Sequence, residues 1–68
     1  MFENKNIIVK VGDTIRINRL DDPYAIDSYV GREGIVEHID SMGQLHGTWG
    51  GLAVIPEVDG FIVIKRAS

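Results

Sequence analysis

Short runs of branched aliphatic residues, bounded by glycine, aspartate or proline, set the pattern of this chain, and no stretch holds apolar residues at i, i+3, i+4 and i+7. That pattern predicts strands and leaves no place for a helix. After Val11-Gly12-Asp13, residues 14–20 alternate, with Ile15 and Ile17 on one face and Arg16 and Asn18 on the other, as in a half-buried strand. Upstream, residues 7–9 offer an extra edge strand or a lead-in, and residues 1–6 are expected to fray. Between Asp21 and Arg32 the alternation disappears into Asp-Asp-Pro-Tyr-Ala-Ile-Asp-Ser-Tyr-Val-Gly-Arg. Such a run of turn formers predicts a loop of about ten residues, and long loops in small domains are often functional.

Residues 33–40 form the second predicted strand. The order Ile35, Val36, Ile39 departs from strict period two, which a β-bulge near His38 reconciles. Ser41-Met42-Gly43 predicts a hairpin turn into a third strand over 44–49, with Leu45, Gly47 and Trp49 on one face and His46 and Thr48 on the other. Gly50-Gly51 then reads as another turn. The continuous apolar run 52–55 predicts a buried fourth strand, and Pro56 ends its hydrogen-bond ladder. Residues 57–60 have the length of a single 3₁₀ turn. A last strand over 61–65 sets Phe61, Val63 and Lys65 opposite Ile62 and Ile64. Five short strands with one long loop and three tight connections give the layout of an all-β, five-stranded antiparallel SH3-like barrel. An OB-fold, normally longer and carrying a helix, ranks second.

Length and charge narrow the function. Sixty-eight residues make a single domain, residues 1–68, whose core is worth on the order of 3 to 5 kcal/mol net, so each large apolar side chain matters. There is no cysteine, so no disulfide supports the core; this usage fits a reducing cytosol, and a cytoplasmic location is expected. The apolar Ile7-Ile8-Val9 is far shorter than a signal-peptide core, and no run approaches the roughly 20 residues of a membrane helix, so no membrane partner is expected. A net charge of −3 opposes non-specific attraction to nucleic acid. The basic candidates Arg16, Arg19, Arg32, Lys65 and Arg66 are scattered. Asp21, Asp22 and Asp27 instead share one loop, which favours a basic partner unless the loop is simply a solvated surface.

The series Val30-Gly31-Arg32-Glu33-Gly34-Ile35-Val36-Glu37-His38-Ile39-Asp40, following a strand that begins Gly-Asp-Thr-Ile-Arg-Ile, resembles the KOW-type SH3-like barrels of ribosomal and transcription-elongation proteins. The ordered set Gly12-Asp13-Thr14-Ile15-Arg16, Asp21-Asp22-Pro23, Gly34-x-Val36, Ile39-Asp40, Gly43-Gln44-Leu45-His46, Trp49 and Leu52-Ala53-Val54-Ile55-Pro56-x-Val58-Asp59 is similar to an uncharacterised bacterial family. That family is a domain of unknown function often met in phages and conjugative elements. The resemblance spans roughly residues 11 to 64. It implies a small SH3-like barrel in a mobile-element setting and carries over no catalytic residue, cofactor or partner. Two positions depart from the family pattern: Gly47 replaces a larger apolar residue, and Gly50-Gly51 is a shorter turn than the usual polar one.

Candidate chemistry is sparse. His38 and His46 flank a hairpin, but a structural zinc wants four Cys or His ligands and a catalytic one three, so Asp40 or Glu37 would have to contribute and no metal is assigned. Ser28, Ser41 and Ser68 lack a nucleophile motif, and a barrel this small is filled by its own side chains, so neither enzyme activity nor a cofactor is expected. Gly31 and Gly34 precede a strand, not a helix, and read as turn and close-packing positions instead of a phosphate loop. The candidate binding set is Asp21, Asp22, Pro23, Tyr24 and Tyr29 beside Trp49. Its aromatics and carboxylates suit a proline-rich or basic peptide, or a cation, with Trp49 and one tyrosine as core the competing assignment. The alternative is a nucleic-acid or ribonucleoprotein contact through Arg16, Arg19 and Arg32 with an exposed aromatic stacking a base. Exposed edge strands leave room for self-association, so the chain is expected to be a monomer or weak oligomer.

Overall fold

Alternating branched residues become alternating burial in the computed structural model, which describes residues 8–67. The expected fraying of residues 1–6 lies outside the described residues. Strand β1 (Thr14–Arg19) buries Ile15 and Ile17 completely. Strand β2 (Glu33–Ile39) buries Gly34 and Val36 and turns Glu33, Ile35 and Glu37 outward. Strands β3 (Leu45–Gly47), β4 (Gly50–Val54) and β5 (Gly60–Lys65) complete one five-stranded antiparallel sheet in the order β4-β3-β2-β1-β5. The β2–β3 register shifts between Val36 and His38, where the sequence predicts a bulge. Residues 8–10 carry no strand.

The loop after β1 contains a helical turn, α1 (Ile26–Tyr29), where the sequence predicts none. Four residues are too few to display a 3.6-residue period, so the pattern gives no sign of it. Tyr29 N donates to Ala25 O and Val30 N to Ile26 O, at 2.9 and 3.0 Å. Val30 then leaves in an extended conformation, and Gly31 adopts φ 94°, a left-handed value that glycine takes without Cβ strain. Its N–H donates to Ile17 O at 2.7 Å, while Ile17 N donates to Arg32 O at 2.9 Å, so the loop returns along β1.

The turn expected at Gly50-Gly51 lies two residues earlier, at Thr48 and Trp49, and both glycines belong to β4. Thr48 causes the shift. Its N–H donates to Ile35 O at 3.0 Å and its Oγ1 accepts from Ile35 N at 2.9 Å, which ends β3 at Gly47. Trp49 therefore does not continue the strand face of Leu45. Its indole folds over Gly34 and Gly47: a Cβ at Gly34 would stand 2.7 Å from Trp49 N, and one at Gly47 would overlap Ile35 O and the indole ring. Gly47 leaves the space the indole occupies. Where a 3₁₀ turn is expected over residues 57–60, the chain instead makes a plain hydrogen-bonded turn at residues 56–58, with Val58 N and Asp59 N both donating to Ile55 O.

The core consists of Ile15, Ile17, Leu20, Ala25, Val36, Leu45, Trp49, Val54 and Phe61. Burying a large side chain of this kind contributes about 1.5–3 kcal/mol. Beside the core, Asp13 is only 1% exposed. Its Oδ2 accepts from Lys10 N at 2.9 Å, its Oδ1 from Ala67 N at 2.8 Å, and Arg66 Nη1 lies 3.3 Å from Oδ2. Arg66 also donates to Ile8 O. One carboxylate thus ties the segment entering β1 to the segment leaving β5. The N–H groups of Lys10 and Ala67, with help from Arg66, hold the Asp13 carboxyl below its ordinary value of 3.8.

Two outcomes follow from this packing. Gly47→Ala forces the indole from its place and lowers stability by about 1–3 kcal/mol in urea unfolding, the usual cost of overpacking. Because the folded-state pKa of Asp13 is depressed, its contribution is present above the unfolded value of 3.8 and is lost as pH falls through the folded one. Asp13→Asn should therefore be less stable than the parent at neutral pH and lose less stability on acidification, as read by unfolding midpoints across the acid limb.

Candidate functional site

Two buried residues, Leu20 and Ala25, anchor the ends of an otherwise exposed corner formed by Asp21, Asp22, Pro23 and Tyr24. The corner has a defined backbone. Asp21 N donates to Asp59 Oδ1 at 2.8 Å, Ile55 N to Asp59 Oδ2 at 2.8 Å, and Arg19 Nη1 to Val58 O at 2.9 Å. The Asp21 and Arg19 bonds fasten the loop after β1 to the turn between β4 and β5, across 38 and 39 positions of sequence, and the Ile55 bond closes that turn. Asp59 is 4% exposed and works as a clip between the two segments. Within the corner, Asp22 Oδ1 accepts from Tyr24 N at 2.9 Å and Asp22 O from Ala25 N at 3.1 Å. This Asx turn presents Tyr24 outward, 94% exposed. Among the described residues, no ion pair involves Asp21, Asp22 or Asp27. Their negative charge faces solvent.

The remaining members of the predicted set are elsewhere. Trp49 is 3% exposed, and its Nε1 donates to Leu52 O at 2.7 Å, so the indole is core and presents no face to a ligand. Tyr29 is half-buried against the core, with the Arg32 guanidinium 4.6 Å above its ring centroid. Of the predicted aromatics only Tyr24 belongs to the exposed corner.

The predicted phosphate-contacting arginines each have internal work. Arg16 lies opposite Glu33 in the β1–β2 register and bonds its Oε2 through Nη2 at 2.8 Å and Nε at 3.0 Å. Arg19 caps Val58 O, and Arg32 Nη1 donates to Trp49 O at 2.7 Å. Lys65 lies at the opposite end of β1, beside Thr14, and Arg66 belongs to the Asp13 clip.

His38 and His46 do face one another. They are directly paired in the β2–β3 register, with ring centroids 5.7 Å apart. Asp40 joins them: Oδ2 is 2.8 Å from His46 Nε2, while Oδ1 accepts from Met42 N at 2.9 Å and Gln44 N at 3.0 Å. The bond to His46, then the Gln44 N–H, holds the Asp40 carboxyl below its ordinary value. Among the described residues, no group of three or more His, Cys, Asp or Glu side chains is arranged to hold a metal ion. A cleft of about 440 Å³ opens elsewhere, lined by Ile8, Lys10, Asp13, Arg66 and Ala67.

Residues 8–64 match the family model described as Domain of unknown function (DUF4314). The chain belongs to the DUF4314 family. No curated protein and no solved structure matches it. Among the described residues of this DUF4314 chain, no helix is long and apolar enough to cross a membrane.

The sequence reading missed Asp59 as the group that shapes the corner. Its only local signal is an aspartate one residue after a Pro-Glu-Val turn, and its main partner is 38 residues away. Asp59→Ala leaves the Asp21 and Ile55 N–H groups without their acceptor. Amide exchange at those two positions should accelerate at least ~10-fold, equivalent to about 1.4 kcal/mol of lost protection, while core amides such as Ile15 change less. Equal acceleration everywhere would show that Asp59 holds the whole fold and not the corner.

Proposed function

We propose that this DUF4314 chain is a non-enzymatic binding module that docks a basic, extended segment of another protein on the Asp21–Asp22–Pro23–Tyr24 corner. The observation that carries the proposal is Tyr24, almost fully exposed on a hydrogen-bonded turn and flanked by carboxylates that have no ion-pair partner among the described residues. An aromatic ring that is solvated in the free protein gains by burial against a partner, and tyrosine is enriched among residues that dominate binding energy. Asp21, Asp22 and Asp27 supply complementarity to Lys or Arg, which speeds encounter and rejects acidic competitors. The fixed backbone reduces the ordering cost on binding.

In this reading the five-stranded sheet is an SH3-like barrel, the setting is a mobile element of bacterial type, and the chain acts in the cytoplasm as a monomer or weak oligomer. The strand layout, the sequence resemblance and the cysteine-free composition support those parts in turn. A nucleic-acid role through Arg16, Arg19 and Arg32 has less support, because each guanidinium is engaged within the fold.

The test is capture of partners from the native host lysate with and without nuclease, followed by direct titration of the recovered protein. A basic protein should survive nuclease, and Asp21→Lys/Asp22→Lys and Tyr24→Ala should each weaken its binding at least ~10-fold. Capture that vanishes with nuclease and falls steeply with salt would replace this reading with the nucleic-acid one.

A further inference from the structure

We infer that His38 and His46, braced by Asp40, form a two-imidazole site for a borderline divalent transition ion of the zinc, nickel or copper class. The site lies on the β2–β3 hairpin and is independent of the acidic corner. Direct pairing in the antiparallel register places the two side chains opposite one another on adjacent strands. Two imidazoles that share one ion at about 2.0–2.1 Å from each ligating nitrogen keep their ring centroids roughly 5–6 Å apart. The observed separation of 5.7 Å meets that requirement, and the 35° interplanar tilt keeps the rings from stacking flat.

Asp40 supplies the second feature of such a site. Two backbone N–H groups fix its carboxylate, and its other oxygen faces His46 Nε2 at 2.8 Å. An ionised carboxylate only accepts, so Nε2 carries the hydrogen, which leaves Nδ1 as the nitrogen of His46 that a metal ion would take. This is the carboxylate–histidine arrangement that orients a metal-ligating imidazole and raises its basicity. The negative charge also offsets that of the cation. His38 is exposed and supplies the second nitrogen. Two imidazoles leave further positions of a tetrahedral ion to water, so the chelate is open and weaker than a structural zinc site. Imidazole donors favour zinc, nickel and copper over magnesium and calcium, which prefer oxygen ligands.

The experiment uses the full chain without an affinity tag, titrated with zinc chloride and separately with magnesium chloride while imidazole and amide NMR resonances are followed. Zinc should bind saturably at one equivalent and shift or broaden the His38 and His46 ring signals, while magnesium leaves them unchanged. His38→Ala, which removes no hydrogen bond seen among the described residues, should weaken zinc binding at least ~10-fold with an unchanged amide spectrum elsewhere. Asp40→Asn should weaken it about 10–100-fold through His46. Absence of saturable binding, binding that survives His38→Ala, or zinc-induced shifts centred on Asp21 and Asp22 would each overturn the assignment.

Discussion

Capture of backbone N–H groups by aspartate carboxylates is the interaction on which the connections of this fold depend. A chain of 68 residues has one small core, and that core grips the middles of the strands while leaving the ends and turns to find their own partners. Among the described residues, three carboxylates each supply two such acceptor contacts. Asp13 joins the segments flanking β1 and β5, Asp40 closes the β2–β3 hairpin, and Asp59 binds the loop after β1 to the turn before β5. Each accepts from two N–H groups at 2.8–3.0 Å, a charge-assisted geometry stronger than a neutral amide pair. These are long-range and local links in a molecule without disulfides, placed where strand ladders stop.

A second constraint acts within the core. The indole of Trp49 can enter the core only because β2 and β3 present glycine where it crosses them, at Gly34 and Gly47. Its Nε1 then satisfies Leu52 O, its carbonyl accepts from Arg32, and Arg32 in turn covers Tyr29. One close approach between an aromatic ring and two glycines thus fixes the start of β4 and the rear of α1 together. It also buries the tryptophan, and engages one guanidinium, that the sequence offers as ligand contacts.

What was legible in the sequence follows from the range of each interaction. Alternation at Ile15 and Ile17, the bulge near His38 and the count of five strands are set by period and by neighbours, and they appear among the described residues. Helical turn α1 and the true turn at Thr48 and Trp49 were not legible, because one is shorter than its own period and the other depends on a Thr48 bond to Ile35 in a different strand. The exposed corner was readable as a loop of Asp, Pro and Tyr. Its shape was not, since Asp59 supplies it from across the chain. Aspartate is the residue type most easily misread here: the same carboxylate is a surface charge at Asp21 and a buried backbone acceptor at Asp13.

That division also changes what the net charge means. A balance of −3 looks mild for a chain with seven Lys and Arg against ten Asp and Glu. Yet Arg16 is matched to Glu33, Arg66 to Asp13, and Arg19 and Arg32 to backbone carbonyls, so the guanidinium groups are committed to structure. Among the described residues, Asp21, Asp22 and Asp27 have no such engagement with a cation, and they lie within one short stretch of loop and helical turn. Field at a surface is set by nearby unpaired charge more than by the sum over the molecule, because screening removes contributions beyond about 8–10 Å at moderate salt. The exposed carboxylates of Asp21, Asp22 and Asp27 therefore shape the local field at the corner that displays Tyr24, and that field is what the proposed basic partner would meet.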